Sequence, residues 1–140
     1  MSDLRIAGYA SVFGVADSGG DVVLPGAFAG APARVPLLWQ HDPREPIGFV
    51  ESLREDGRGL RVVARVVDAG KGAAAAALLR AGAVDGLSFG YRVKAARRDR
   101  GAGVRRLAAL DLIEVSVVTF PMQPRARVLG VEQVAEESKA

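Results

Sequence analysis

The chain contains no cysteine, which excludes disulfides, thiolate chemistry and cysteine-ligated metals and is in keeping with a reducing cytosol. It contains one histidine, so a metal centre of the ordinary histidine-and-carboxylate kind is not expected. No apolar run approaches the ~20 residues that cross a bilayer as a helix, and the start Met1-Ser-Asp-Leu-Arg5 lacks a secretory signal pattern. Aromatic residues are few, at 6%. Charge of one sign is also scarce: 19 Lys and Arg against 16 Asp and Glu leave a net charge of +3. Part of that excess sits in Arg92, Lys94, Arg97, Arg98, Arg100, Arg105 and Arg106, around Gly101-Ala-Gly103. With no aromatic rings interleaved to stack bases, this reads as a solvated hairpin tip, and nucleic acid is not the expected partner.

What is present is an ordinary globular composition, 49% hydrophobic and 25% charged over 140 residues, enough for one domain around one core. The domain is expected over 1–130, with 131–140 a short polar tail, helical or frayed. Strands are expected over Leu4–Phe13, with Gly8 marking a bulge or close backbone approach, and over Val35–His41. Asp42-Pro-Arg-Glu-Pro46 is expected to break the chain before extended structure resumes over Ile47–Arg54. The turn Glu55-Asp-Gly-Arg-Gly59 joins that segment to Leu60–Val67 as a hairpin. Pro25-Gly-Ala-Phe28 suggests the start of a short helix. Asp68 is a candidate N-cap for a helix over Lys71–Arg80, which Gly82 closes. The piece Gly70-Lys71-Gly72 lacks the first glycine and the Ser/Thr of a phosphate loop, so a nucleotide site is rejected. Strands over Leu87–Lys94 and Val104–Leu110 form a second hairpin, followed by a strand over Leu112–Phe120 that Pro121 ends. Many strands and one inserted helix make a β-rich α+β chain, a barrel or sandwich rather than repeated βαβ units.

Three residues offer chemistry. His41 is the side chain best suited to exchange protons near neutral pH. Ser88, in Gly86-Leu-Ser88-Phe-Gly90, alternates with Leu87, Phe89 and Tyr91, so it faces outward or into a cleft. The G-x-S-x-G match to a nucleophile elbow is weak, because the elbow needs a strand-to-helix turn and Ser88 begins a strand. Glu114, in Leu112-Ile-Glu114-Val-Ser-Val-Val-Thr119, shares a face with Ser116 and Val118, opposite Ile113, Val115 and Val117. A carboxylate in so apolar a strand is either solvent-exposed or paired. Pairing with a histidine N–H would satisfy it. Asp42 is a poorer orienting partner for His41, being its immediate neighbour in extended chain.

Gly8-Tyr-Ala-Ser-Val-Phe-Gly14, Gly20-Asp-Val-Val23 with Pro25-Gly-Ala-Phe28, Leu38-Trp-Gln-His41-Asp42 with Pro46-Ile-Gly48, Gly86-Leu-Ser88-Phe-Gly-Tyr91 and Leu112-Ile-Glu114 through Pro121 follow one another along roughly 4–128. In these segments the chain resembles the prohead serine proteases of tailed phages and related gene transfer agents. The resemblance implies an assemblin-like β-barrel with a few flanking helices. It implies a serine endopeptidase that cuts scaffold or the N-terminal scaffolding segment of the capsid protein inside the procapsid, in the bacterial cytoplasm. Such enzymes often cut themselves. Matched by motif, His41 is the family's histidine, Ser88 its nucleophile and Glu114 its third residue, with no cofactor and no metal. Assemblin-like enzymes use a second histidine in the third role, which this chain lacks. Oxyanion donors are left open between backbone N–H groups near Ser88 and Arg125 or Arg127. Self-association is also open, as is a non-catalytic head-assembly module that binds scaffold or capsid protein.

Overall fold

The computed structural model describes residues 2–135. Alternation of buried and half-exposed residues builds β1 (Leu4–Val12), whose Leu4, Ile6 and Ala10 enter the core. After β2 (Asp21–Val23) come β3 (Pro36–Trp39) and the long β4 (Asp42–Glu55), which turns at Asp56 into β5 (Gly59–Val66). Helix α1 (Gly70–Arg80) follows, then β6 (Gly86–Asp99), β7 (Val104–Val118) and β8 (Val128–Gln133). The eight strands among the described residues belong to one sheet, ordered β2-β7-β3-β4-β5-β1-β8, with β6 on the other edge of β7. Strands β2 and β3 share an edge of β7, both parallel to it, at Arg105–Leu107 and Val115–Val117 respectively. The sheet curls until its ends meet. Leu87 N–H donates to Ala126 O and Val128 N–H to Asp85 O, joining the start of β6 to the chain entering β8.

The fold is the expected β-rich one, a curled half-barrel sheet, but among the described residues it carries one flanking helix where a few were expected. No helix there is long and apolar enough to cross a membrane. Helix α1 presents Gly72, Ala75, Ala76 and Leu79 to β4 and β5, small residues at helical spacing that allow close approach. It ends as expected at Gly82, with φ of +72°. Ala83 N–H returns to Leu78 O and Gly82 N–H to Leu79 O, the paired bonds of a Schellman ending. Gly8 also behaves as expected: it sits at a register shift between β1 and β8, where a Cβ would run into Arg127 O.

Several expectations are corrected. The N-cap is Ala69, without a side-chain bond, while the Asp68 N–H is taken by Asp3. Residues 25–30 form turns and no helix. Pro43 and Pro46 do not break the chain but lie within β4, ahead of Gly48, where pairing with β5 begins; no ladder bond on that side needs their missing N–H. Strand β3 stops at Trp39 instead of running through His41. The strands expected over 104–110 and 112–120 are one, β7, bent by irregular register against β6. Residues 131–133 continue β8 instead of starting a tail, and 136–140 lie outside the described residues.

Two glycine substitutions separate backbone from packing constraints. Gly82→Ala meets no atom within 4 Å and should lose about 1–2 kcal/mol from left-handed strain alone. Gly72→Ala would gain about 1 kcal/mol by helix propensity, yet its Cβ would meet Val67 O and Ile47 O. A net loss of ~1–2 kcal/mol in urea unfolding is therefore expected there, and a net gain would contradict this packing.

Candidate active site

The arrangement begins with an extra residue in β7. Gly90 pairs with Glu114 but Tyr91 pairs with Leu112, leaving Ile113 unpaired and 47% exposed. Leu110 and Leu112 before this bulge are core residues, and so are Val115 and Val117 after it. The bulge thus reverses the alternation and sends Glu114 and Ser116 to the face opposite the core. Across the ladder, Ser88 pairs with Ser116 and Gly90 with Glu114, so Ser88 shares that face. Ile113 does not group with Val115 and Val117 as simple parity predicts.

His41 arrives from the other side of β7. Trp39 pairs with Asp42 across the two residues Gln40 and His41, whose φ values are +53° and +61°. Two consecutive positive φ values belong to the I′ family of hairpin turns, usually built from Asn and Gly. This turn has neither and is pinned from outside. Gln40 N–H donates to Val117 O. The Gln40 amide donates to Thr119 Oγ1 and accepts from Thr119 N–H, at 2.7 and 3.1 Å. His41 N–H donates to Ser116 Oγ at 3.1 Å.

The His41 ring then lies with Nδ1 2.5 Å from Glu114 Oε1, while Ser116 Oγ donates to Glu114 Oε2 at 2.7 Å. Glu114 is 7% exposed and the His41 side chain 40%. The buried carboxylate is thus bonded on both oxygens, and the imidazole is held by one nitrogen with its rim towards solvent. Asp42 turns away to Arg44. Gly90 leaves the room this requires, because a Cβ there would lie 2.9 Å from Glu114 Oε1. Gly86 is likewise closed in by Val118 O and Pro121. The two glycines around Ser88 therefore answer to packing within the site.

Ser88 and His41 line one cleft of about 220 Å³, together with Ser11, Leu87, Phe89 and Gln123. No hydrogen bond joins Ser88 Oγ to His41 among the described residues; the imidazole's bonded nitrogen is engaged with Glu114. Gln123, buried, accepts Val12 N–H and donates to Val12 O and Val15 O, tying the cleft wall to the end of β1. Arg127 is bonded to Asp85 and Pro124 O, and neither it nor Arg125 lines the cleft. In the basic hairpin, Lys94, Arg105 and Arg106 are paired with Asp111, Asp21 and Asp99. Sequence reasoning passed over Ser116, Gln40 and Thr119. The available signal for Ser116 was its place two residues beyond Glu114 in a strand.

At the cleft's far wall Arg105 clasps Asp21 with both Nε and Nη2 at 2.9 Å, and Tyr91 O–H donates to the same carboxylate. Arg105 holds the Asp21 carboxyl below its usual range. Burial, with the Asp21 charge, pushes the Tyr91 phenol up to about 12.

A family model described as Caudovirus prohead serine protease matches residues 2–140. The chain is 38% identical over 138 residues to the prohead protease of Enterobacteria phage HK97, covering 91% of this chain and 60% of that one. It is 32% identical over 113 residues to a capsid polyprotein of Pseudomonas phage PAJU2, covering 76% of this chain and 17% of the polyprotein. Among solved structures, the bacteriophage T4 capsid assembly protease superposes with a TM-score of 0.65 at 19% identity, over 81% of this chain and 80% of that one. KSHV protease bound to a hexapeptide phosphonate inhibitor gives 0.63 at 12% identity, over 94% and 66%. At those identities the structural likeness speaks for the fold.

The Tyr91 environment predicts an alkaline limit. An unfolded tyrosine loses its proton near pH 10 while folded Tyr91 keeps its own to about 12, so stability is full below pH 10 and falls as pH rises between those values. Tyr91→Phe should flatten most of that slope in unfolding experiments at pH 9–12. A smaller part should remain from Tyr9, which its bond to Asp56 also raises. An unchanged slope would contradict the half-buried, Asp21-bonded phenol.

Proposed function

Because the chain belongs to the Caudovirus prohead serine protease family, we propose that it is an endopeptidase of capsid maturation that works by Ser88, His41 and Glu114. The observation that carries this reading is the His41–Glu114 pair, with His41 on the wall of the cleft that Ser88 also lines. Glu114 Oε1 accepts the Nδ1 proton of His41, which fixes the tautomer with a free, basic Nε2. His41 takes the Ser88 hydroxyl proton as Oγ attacks the scissile carbonyl, then returns it to the leaving amine. Glu114 stabilises the imidazolium formed between those steps. The absence of a Ser88–His41 bond is compatible with this, since such contacts tighten when substrate fills the cleft.

The substrate in this reading is scaffold or the N-terminal scaffolding segment of the capsid protein, cut within the assembling procapsid, with self-cleavage as a further event. The likeness to a segment of a capsid polyprotein supports capsid protein as the substrate class. The outer edge of β6 beyond Ser88 has no strand partner among the described residues, which supports entry of the substrate as an added extended strand.

The test is co-expression with the cognate capsid protein or scaffold. Ser88→Ala and His41→Ala should leave substrate intact, and Glu114→Gln should slow cleavage by roughly 10²- to 10⁴-fold. Equal cutting by all variants would remove these residues from the mechanism. Intact substrate with the unaltered enzyme inside assembled particles would favour the non-catalytic assembly module instead.

A further inference from the structure

Ser116 carries a hydroxyl beside the His41–Glu114 pair, is the cross-strand neighbour of Ser88 and is fully buried. A serine hydroxyl has one proton to give and two lone pairs. The proton of Ser116 goes to Glu114 Oε2, and one lone pair receives the N–H of His41. This side chain therefore has no proton for a base and no access for a substrate. Its bonds do something else. They close a ring in which the backbone of His41 is tied to Ser116, Ser116 to one oxygen of Glu114, and the other oxygen of Glu114 back to the His41 ring.

We propose that Ser116 is a positioning residue that fixes the angle between the Glu114 carboxylate and the His41 imidazole, and so aims Nε2 towards Ser88. The proposal rests on the Ser88–His41–Glu114 reading. A carboxylate bonded only through Oε1 is free to rotate about its last torsion, which is broad and soft. An imidazole on a turn without glycine follows whatever holds it. Bonding the second oxygen removes the rotation. Bonding the His41 N–H to the same hydroxyl makes ring and carboxylate share one reference point on β7. The Gln40–Thr119 bonds hold the turn independently, so loss of the Ser116 hydroxyl should loosen the pair and leave the hairpin standing.

The test compares Ser116→Thr with Ser116→Val, which are nearly the same shape and differ in the hydroxyl, alongside Ser116→Ala. Turnover of the capsid protein should be retained with Thr and fall by roughly 10- to 100-fold with Val and Ala, with KM changed less than about twofold. The single histidine supplies a second readout. In a Ser88→Ala background, the low-field His41 Nδ1–H proton resonance should persist with Thr and shift or broaden with Val. Equal kcat and equal spectra for Thr and Val would overturn the proposal. Full cleavage by Ser88→Ala alone would instead sink the nucleophile assignment, and the resonance would still report on Ser116.

Discussion

The unpaired Ile113 in β7 decides which side chains of this strand meet the core and which stand with Ser88 on the opposite face, and the site depends on that one displaced register. Without it, Glu114 would continue the row of Leu110 and Leu112 into the barrel interior, where an unpaired carboxylate is costly enough to protonate or unfold its surroundings. With it, Val115 and Val117 resume the core, and Glu114 and Ser116 stand beside Ser88 on β6. The same step explains the glycine at 90, which faces the carboxylate across the ladder. A single bulge thus converts a core strand into one half of a polar site without interrupting the sheet.

The other half follows from the parallel pairing of β3 and β7. Parallel neighbours run in the same direction, so β3 delivers the chain past Val117 at the level where Glu114 and Ser116 emerge. The reversal into β4 then occurs directly beside them, through two residues held at positive φ. Left-handed backbone costs a non-glycine residue roughly 1–2 kcal/mol, and here it persists because β7 pins it through Val117 O and Ser116 Oγ, and Thr119 just beyond the strand holds it too. Burial and strain are coupled. The carboxylate is tolerated because His41 and Ser116 satisfy it, and His41 is held in its turn by the strand that carries the carboxylate.

Much of this was legible in the residues, and the failures are as informative. Period-two alternation predicted the common face of Glu114 and Ser116 and set Val115 and Val117 on the opposite one, because those residues follow the bulge. It misassigned Ile113 because counting by twos assumes continuous pairing, and the adjacent apolar pair Leu112-Ile113 between Asp111 and Glu114 is a faint mark of the extra residue. Gly82 and Gly8 were read correctly, since a left-handed helix ending and a close backbone approach both demand a missing Cβ. The His41 turn was hidden because Gln-His carries none of the Asn-Gly chemistry that signals such hairpins; its stability comes from tertiary bonds. Pro43 and Pro46 suggested a break, which holds only where both edges of a strand are paired. Strand β8, mostly exposed, owes its form to β1 rather than to its own sequence.

In the proposed mechanism Ser88 is the nucleophile and His41 activates it. The most direct measurement is covalent labelling of the folded protein with diisopropyl fluorophosphate, followed by peptide mapping by mass spectrometry. A single adduct on Ser88 is expected, its rate of formation dropping sharply in His41→Ala. An adduct on Ser11 or Ser116 with Ser88 untouched, or labelling of Ser88 at the same rate without His41, would contradict it.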